Sequence, residues 1–309
     1  MYKTVILPLD GSLFAELAIG TAVEIARRSG GLLVLTRVHE SYVYEDAGHS
    51  RADHQSRRDQ EEYLAEAAER IDTQFGIQPG RVLLDGPIAT AICRFADNME
   101  SPLIVISTHG RTGFSRLWLG STADEIAHHA SVPVLMLRHQ ESVPLEDSSP
   151  HLFKRILVPL DGSDLAESVL EHATALAAAY GARLTLFRVV APLVAPALLY
   201  AAPYLPAPER YEDTDPFRAE AATNYVTALA ARLRHEDENL LVDTDVRIAE
   251  SAAPAILEAV DAHEADTVVM ATHGRGASRL IVASVADKVI RGGPEAVLIV
   301  NGERRGNAG

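Results

Sequence analysis

Val5-Ile-Leu-Pro-Leu-Asp-Gly-Ser12 recurs as Ile156-Leu-Val-Pro-Leu-Asp-Gly-Ser163. An apolar run ending in Pro-Leu-Asp-Gly-Ser reads as a buried strand that empties into a turn and a capped helix. Further along, Ser107-Thr-His-Gly-Arg111 recurs as Ala271-Thr-His-Gly-Arg275, in the same order and at similar separation. The repeating unit is therefore a whole fold and not a peptide. The chain has 309 residues, which is about two domains at roughly 150 residues each. The seam is expected in Arg138 to His151, a polar stretch with prolines and no periodicity. This gives a first domain at 1–140, a linker at 141–152 and a second domain at 153–309.

The formal net charge is −15, and acids exceed bases in both halves. With no basic block to offset this, duplex nucleic acid is an unsuitable partner. Cys93 is the single cysteine, so no internal disulfide can form and a reducing, cytoplasmic location is expected. Met1-Tyr-Lys-Thr runs directly into the first strand, and no apolar stretch reaches the ~18 residues of a membrane span.

In the first half, strands are predicted at 5–9, 32–38, 81–84, 103–107 and 134–137. Phe14, Leu17, Ala18, Thr21, Ala22 and Ile25 follow helical spacing, so one helix is expected over 13–29, capped by Ser12 and ended by Gly30-Gly31. Further helices fit 56–75, 87–99 and 121–130. The second half repeats the plan, with strands at 155–160, 184–190, 242–249, 267–271 and 296–300 and helices at 164–180, 216–235, 252–264 and 284–291. Alternation of Val242, Thr244, Val246 and Ile248 with polar residues marks a half-exposed edge strand. The fold class is α/β: two tandem Rossmann-like three-layer domains, each with a five-stranded parallel sheet. In such sheets ligands sit at the carboxyl ends of the strands where the winding reverses, which singles out the loops after strands one and four.

The first of these loops carries Pro8-Leu9-Asp10, whose carboxylate can accept hydrogen bonds from a ribose or base. The other carries Thr108-His109-Gly110, then nine residues, then Gly120-Ser121-Thr122 opening a helix. Glycines admit a phosphate close to the backbone, hydroxyls add donors, and a helix N-terminus offers free N–H groups. Singly, each of these is equally an ordinary turn or helix cap. There is no Gly-x-x-x-x-Gly-Lys-Ser/Thr and no Gly-x-Gly-x-x-Gly after the first strand, which excludes a P-loop and a dinucleotide fingerprint.

Together the motifs resemble the universal stress protein family in tandem two-domain form, over essentially both halves. The family's nucleotide motif, Gly-x-x-Gly-x(9)-Gly-Ser/Thr, is matched from Ser107 to Ser121 except that Ser107 stands at the first glycine. The second half reads Ala271-Thr-His-Gly274, nine residues, Ser284-Val285, and so lacks the first and third glycines and the hydroxyl. The resemblance implies the adenine nucleotide α-hydrolase-like fold and a bound ATP, with AMP or ADP as alternatives and Mg²⁺ accompanying a triphosphate. It places adenosine against Pro8, Leu9, Asp10 and Val38. Phosphates fall to Gly110, Gly120, Ser121 and Thr122, with Ser107 donating through its backbone and His109 and Arg111 counted with the same site. By their position in the nine-residue stretch, Arg111 and Arg116 are read either as bidentate donors to a triphosphate or equally as solvated surface. The corresponding second set, Pro159, Leu160, Asp161, Val189, Ala271, Gly274, Ser284 and Val285, is expected to form a weak or empty site. His109 and His273 are read as fixing their loops. The family also implies that the last strands of the two halves pair with each other, and a homodimer is a further expectation.

The halves diverge after their second strands. His39 to His54 is rich in His, Tyr and acid but fits no closed zinc spacing, so it is read as a mobile polar lid. Val190 to Pro208 is apolar and proline-rich, which excludes an amphipathic membrane helix. The expected function is ligand-dependent regulation in the stress response, with at most slow ATP hydrolysis. A nucleotide-free scaffold is the alternative. An adenylating enzyme of related fold would want a Ser-Gly-Gly-x-Asp-Ser loop, which Asp10-Gly-Ser12 is not.

Overall fold

The computed structural model describes residues 1–40, 47–108, 120–138, 150–151, 153–192, 216–272 and 279–301. The first half runs β1 (Thr4–Pro8), α1 (Leu13–Glu16), α2 (Ile19–Ser29), β2 (Leu32–His39), α3 (Ala47–Phe75), β3 (Gly80–Asp85), α4 (Ile88–Asp97), β4 (Pro102–Thr108), α5 (Ser121–His129) and β5 (Val134–Arg138). The second runs β6 (Arg155–Pro159), α6 (Asp164–Glu167), α7 (Leu170–Tyr180), β7 (Arg183–Val190), α8 (Pro216–Glu236), β8 (Leu241–Ile248), α9 (Ala252–Ala262), β9 (Thr267–Thr272), α10 (Arg279–Gly292) and β10 (Ala296–Asn301).

The strands form one ten-stranded sheet in the order β3-β2-β1-β4-β5-β10-β9-β6-β7-β8. Pairing is parallel within each half, and β1 lies between β2 and β4. The winding therefore reverses at β1/β4, and again at β6/β9, which opens a crevice above the carboxyl ends of those strands. The central strands are apolar on both faces, as helix-covered strands must be: Val5, Ile6, Leu7, Ile104 and Val105 are all fully buried. β5 and β10 pair antiparallel, with Leu135 opposite Leu298. Their union leaves β3 and β8 as the outer strands. On β8, Val242 is buried while Asp243 is exposed and pairs with Arg183 at 2.7 Å, a charged edge of the kind that discourages further strand addition.

Two expectations are corrected. The helix expected over 13–29 is two helices. Ser12 Oγ caps the first, accepting from Ala15 N at 3.2 Å. Leu17 N shares its bond between Leu13 O at 3.2 Å and Phe14 O at 3.3 Å, and at Ala18 the bonding tightens to i−3, with Ala15 O at 3.4 Å. This re-aims the chain before α2, and the second half breaks its helix at the matching place. The segment read as a polar lid begins with a buried histidine, His39, and its residues 47–54 are the first turns of α3. Residues 41–46 lie outside the described residues, as does 193–208 of the proline-rich segment.

Candidate functional site

Gly11 and Gly162 turn the chain out of β1 and β6 with φ of +86° and +82°. A Cβ at either position would stand 2.8 Å from an arginine Nη1, of Arg37 or Arg188. The turn needs glycine for its backbone conformation, and a side chain there would also have to displace the arginine tip. Asp10 closes it through Oδ1, which accepts from Ser12 N at 2.8 Å, and Asp161 does the same for Ser163 at 2.9 Å.

Behind each turn stands the same brace. The Arg37 guanidinium lies 4.8 Å from the Tyr63 ring centre, and Arg188 5.3 Å from that of Tyr225. Tyr63 Oη donates to Glu16 Oε1 at 2.8 Å, and Tyr225 Oη to Glu167 Oε1 at 3.0 Å. Burial, aided by the bond to Glu16, pushes the Tyr63 phenol well above its ordinary pKa. The brace fixes α1 and α3 around the Asp10 turn, and α6 and α8 around that of Asp161.

In the first half the crevice is a cleft of about 460 Å³, within the roughly 300–1,000 Å³ of ordinary ligand sites. It brings together Pro8, Leu9, Asp10, Val38, Ser107, Gly120, Ser121 and Thr122. Gly120 precedes α5 in an extended conformation (ψ 142°), so the N–H groups of the first turn face outward from the helix start. The apolar wall is Ile88, Ile92, Ile106 and Ile126. His109, Gly110, Arg111 and Arg116 lie outside the described residues.

Three polar cleft residues were missed by sequence reasoning, Thr36, Arg37 and Gln60, as was the apolar wall. Thr36 is fully buried, and its Oγ1 has no hydrogen-bond partner among the described residues. An orphaned hydroxyl in a cleft wall is costly unless something fills the place of its partner. Val38 came with the family resemblance, and two-residue alternation puts Thr36 on the same face of β2.

In the second half the crevice is divided, with a part of about 370 Å³ beside Arg188, Ala222 and Tyr225 and an adjoining part of about 130 Å³ that shares Val189 with it. Pro159, Leu160, Asp161, Val189, Ala271 and Val285 line the smaller part. Gly274 and His273 lie outside the described residues, and only the backbone of Ser284, within α10, is described. Phe187, fully buried, lines the smaller part at the strand position that Thr36 holds in the first half, one residue before the brace arginine. Met270 stands where Ile106 does.

A family model described as "Universal stress protein family" matches residues 1–138 and again 152–301. A universal stress protein of Methanocaldococcus jannaschii is 25% identical over 146 residues, which is 45% of this chain and 83% of that protein. The crystal structure of a universal stress protein from Archaeoglobus fulgidus superposes with a TM-score of 0.72 at 21% identity, covering 97% of this chain and 99% of that one. A functionally unknown protein from Pseudomonas aeruginosa superposes with a TM-score of 0.62 at 16% identity, over 97% of this chain and 92% of that one. At these identities the structural likenesses speak for the fold.

Proposed function

The chain belongs to the universal stress protein family as a tandem of two Rossmann-like repeats, and from that premise we propose that its first repeat binds ATP while its second serves as a structural partner. The observation that carries this reading is the lining of two otherwise matched crevices: Thr36, Ser107, Gly120, Ser121 and Thr122 in the first, against Phe187, Ala271 and Val285 in the second. Adenosine lies against Pro8 to Asp10 and Val38, with the Thr36 hydroxyl offered to it. Phosphates meet Gly120, Ser121 and Thr122 at the start of α5, and Mg²⁺ enters with the triphosphate.

Domain one spans 1–140 and domain two 153–309, and the β5–β10 pairing joins them as one body. Nucleotide acts by favouring one conformational state over another, since only differential affinity shifts a population. The second crevice, walled by Phe187, Ile256 and Met270, keeps the fold and gives up the ligand. The experiment is to heat-release and chromatograph any nucleotide carried by the full chain, then titrate ATP into wild type and Gly120→Val. Loss of binding in the variant supports the site. Undiminished binding refutes it.

A further inference from the structure

The larger part of the second crevice, about 370 Å³, is lined by two arginines, Arg188 near the end of β7 and Arg218 in the first turn of α8. Among the described residues both bond only to backbone carbonyls: Arg188 Nη1 to Leu160 O at 3.5 Å, and Arg218 Nη1 to Ala191 O at 3.4 Å. Neither has a carboxylate partner there, although the chain carries a net charge of −15. The nearest acids are engaged elsewhere. Glu167 accepts from Tyr225 Oη at 3.0 Å and lies 3.6 Å from Arg232, while Asp161 accepts from the Ser163 backbone N–H and hydroxyl at 2.9 and 2.6 Å. Arg188 Nε is buried with no hydrogen-bond partner among the described residues. A buried donor on a charged group is costly to leave unpaired, and the stacked Tyr225 ring covers only one face of the guanidinium, leaving its N–H edge for an acceptor.

The matching place in the first half is closed by polar groups that meet one another. His39 Nδ1 lies 3.2 Å from Gln60 Oε1, and His39 Nε2 lies 2.9 Å from Asp53 Oδ1. Counted from the brace arginine and tyrosine, His39 and Glu40 become Val190 and Ala191, and Gln60 becomes Ala222. Ser56 becomes Arg218. Three polar residues are thus exchanged for apolar ones and a cation is added, which opens a cavity with an apolar wall and a basic end.

We propose that this cavity is a ligand site of its own, taking a small organic oxyanion whose carboxylate or phosphate head is held by Arg188 and Arg218 and whose apolar body lies along Val190, Ala191 and Ala222. Guanidinium groups suit such heads because their N–H pairs match two oxygens at once. The volume falls within the roughly 300–1,000 Å³ of ordinary ligand sites. The second repeat then gives up the nucleotide without giving up ligands. This site does not rest on the nucleotide reading of the first.

The test is calorimetric titration of the full chain with hexanoate, hexyl phosphate and hexanol. At least one of the two anions should bind at one per chain, about tenfold or more tightly than hexanol, and the tighter anion identifies the head group. Arg218 is exposed, so Arg218→Gln tests the charge without disturbing the core, and should weaken the anion by about tenfold or more. Ala222→Gln restores the first half's residue, fills the cavity, and should weaken the anion as much while removing no charge. ATP should titrate identically into wild type and both variants. No binding of either anion, hexanol binding as tightly as they do, or an anion that binds Arg218→Gln undiminished overturns the proposal. A loss of ATP binding in Ala222→Gln also overturns it, by showing the cavity to be part of a nucleotide site.

Discussion

Replacing Thr36 by valine should make the protein more stable and a worse nucleotide binder at the same time. The substitution exchanges a hydroxyl for a methyl group of nearly the same shape, at a fully buried position on β2. Thr36 Oγ1 has no partner among the described residues, and an unpaired buried hydroxyl costs about 1–3 kcal/mol in proteins. Removing it should raise the unfolding free energy of the ligand-free chain by about 1–2 kcal/mol. At about 2–4 °C per kcal/mol for large domains, that is a Tm rise of about 2–8 °C. The same change removes a hydroxyl offered to the ligand, worth about 0.5–1.5 kcal/mol and hence roughly a 2- to 10-fold loss of ATP affinity. Urea denaturation of the ligand-free chain and calorimetric ATP titration read the two effects separately. A loss of stability would show that the hydroxyl already has a partner, and unchanged affinity would show that the ligand does not use it. Either result refutes the reasoning.

Tyr63→Phe keeps the ring under Arg37 but removes the hydrogen bond to Glu16, whose Oε1 also pairs with Arg70 at 2.8 Å. Because Glu16 keeps that second partner, the expected cost is about 1–2 kcal/mol, with Tyr225→Phe costing a similar amount in the second half. Urea midpoints that do not move in either variant would sink the claim that the brace stabilises the turns. His151 supplies a pH dependence. Its backbone N–H donates to Thr21 Oγ1 at 2.8 Å, and its ring lies 3.6 Å from Asp266 and 3.4 Å from Glu295. Burial by itself would lower its pKa, but the carboxylates of Asp266 and Glu295 outweigh burial and raise it above the ordinary value. A raised folded-state pKa means that the contribution is full below the unfolded value of about 6.5 and is lost as pH climbs through the folded one. The stability gap between wild type and His151→Gln should therefore narrow from pH 6 to pH 8 in denaturant titrations. A gap that widens over that range would contradict the assignment.

The tandem fold and most of the cleft were legible in the sequence because their signals are local. Asp10-Gly-Ser12 is a turn and cap within a few residues, and Gly120-Ser121 announces its own helix. Val38 came with the family resemblance. Residues that act through register were harder to see. Thr36 and Phe187 correspond only when the two second strands are aligned. The His39–Gln60 contact joins a strand end to a helix 21 residues later, and nothing in local spacing announces it. The break at Leu17 and Ala18 was hidden because its apolar positions satisfy one continuous helix as well as two.

The central claim is asymmetry, and the stoichiometry of ATP binding to the full chain tests it most directly. The account predicts one nucleotide per chain in a calorimetric titration, abolished by Gly120→Val and unaffected by Phe187→Thr. Two equivalent sites per chain, or one site that survives Gly120→Val, would contradict it.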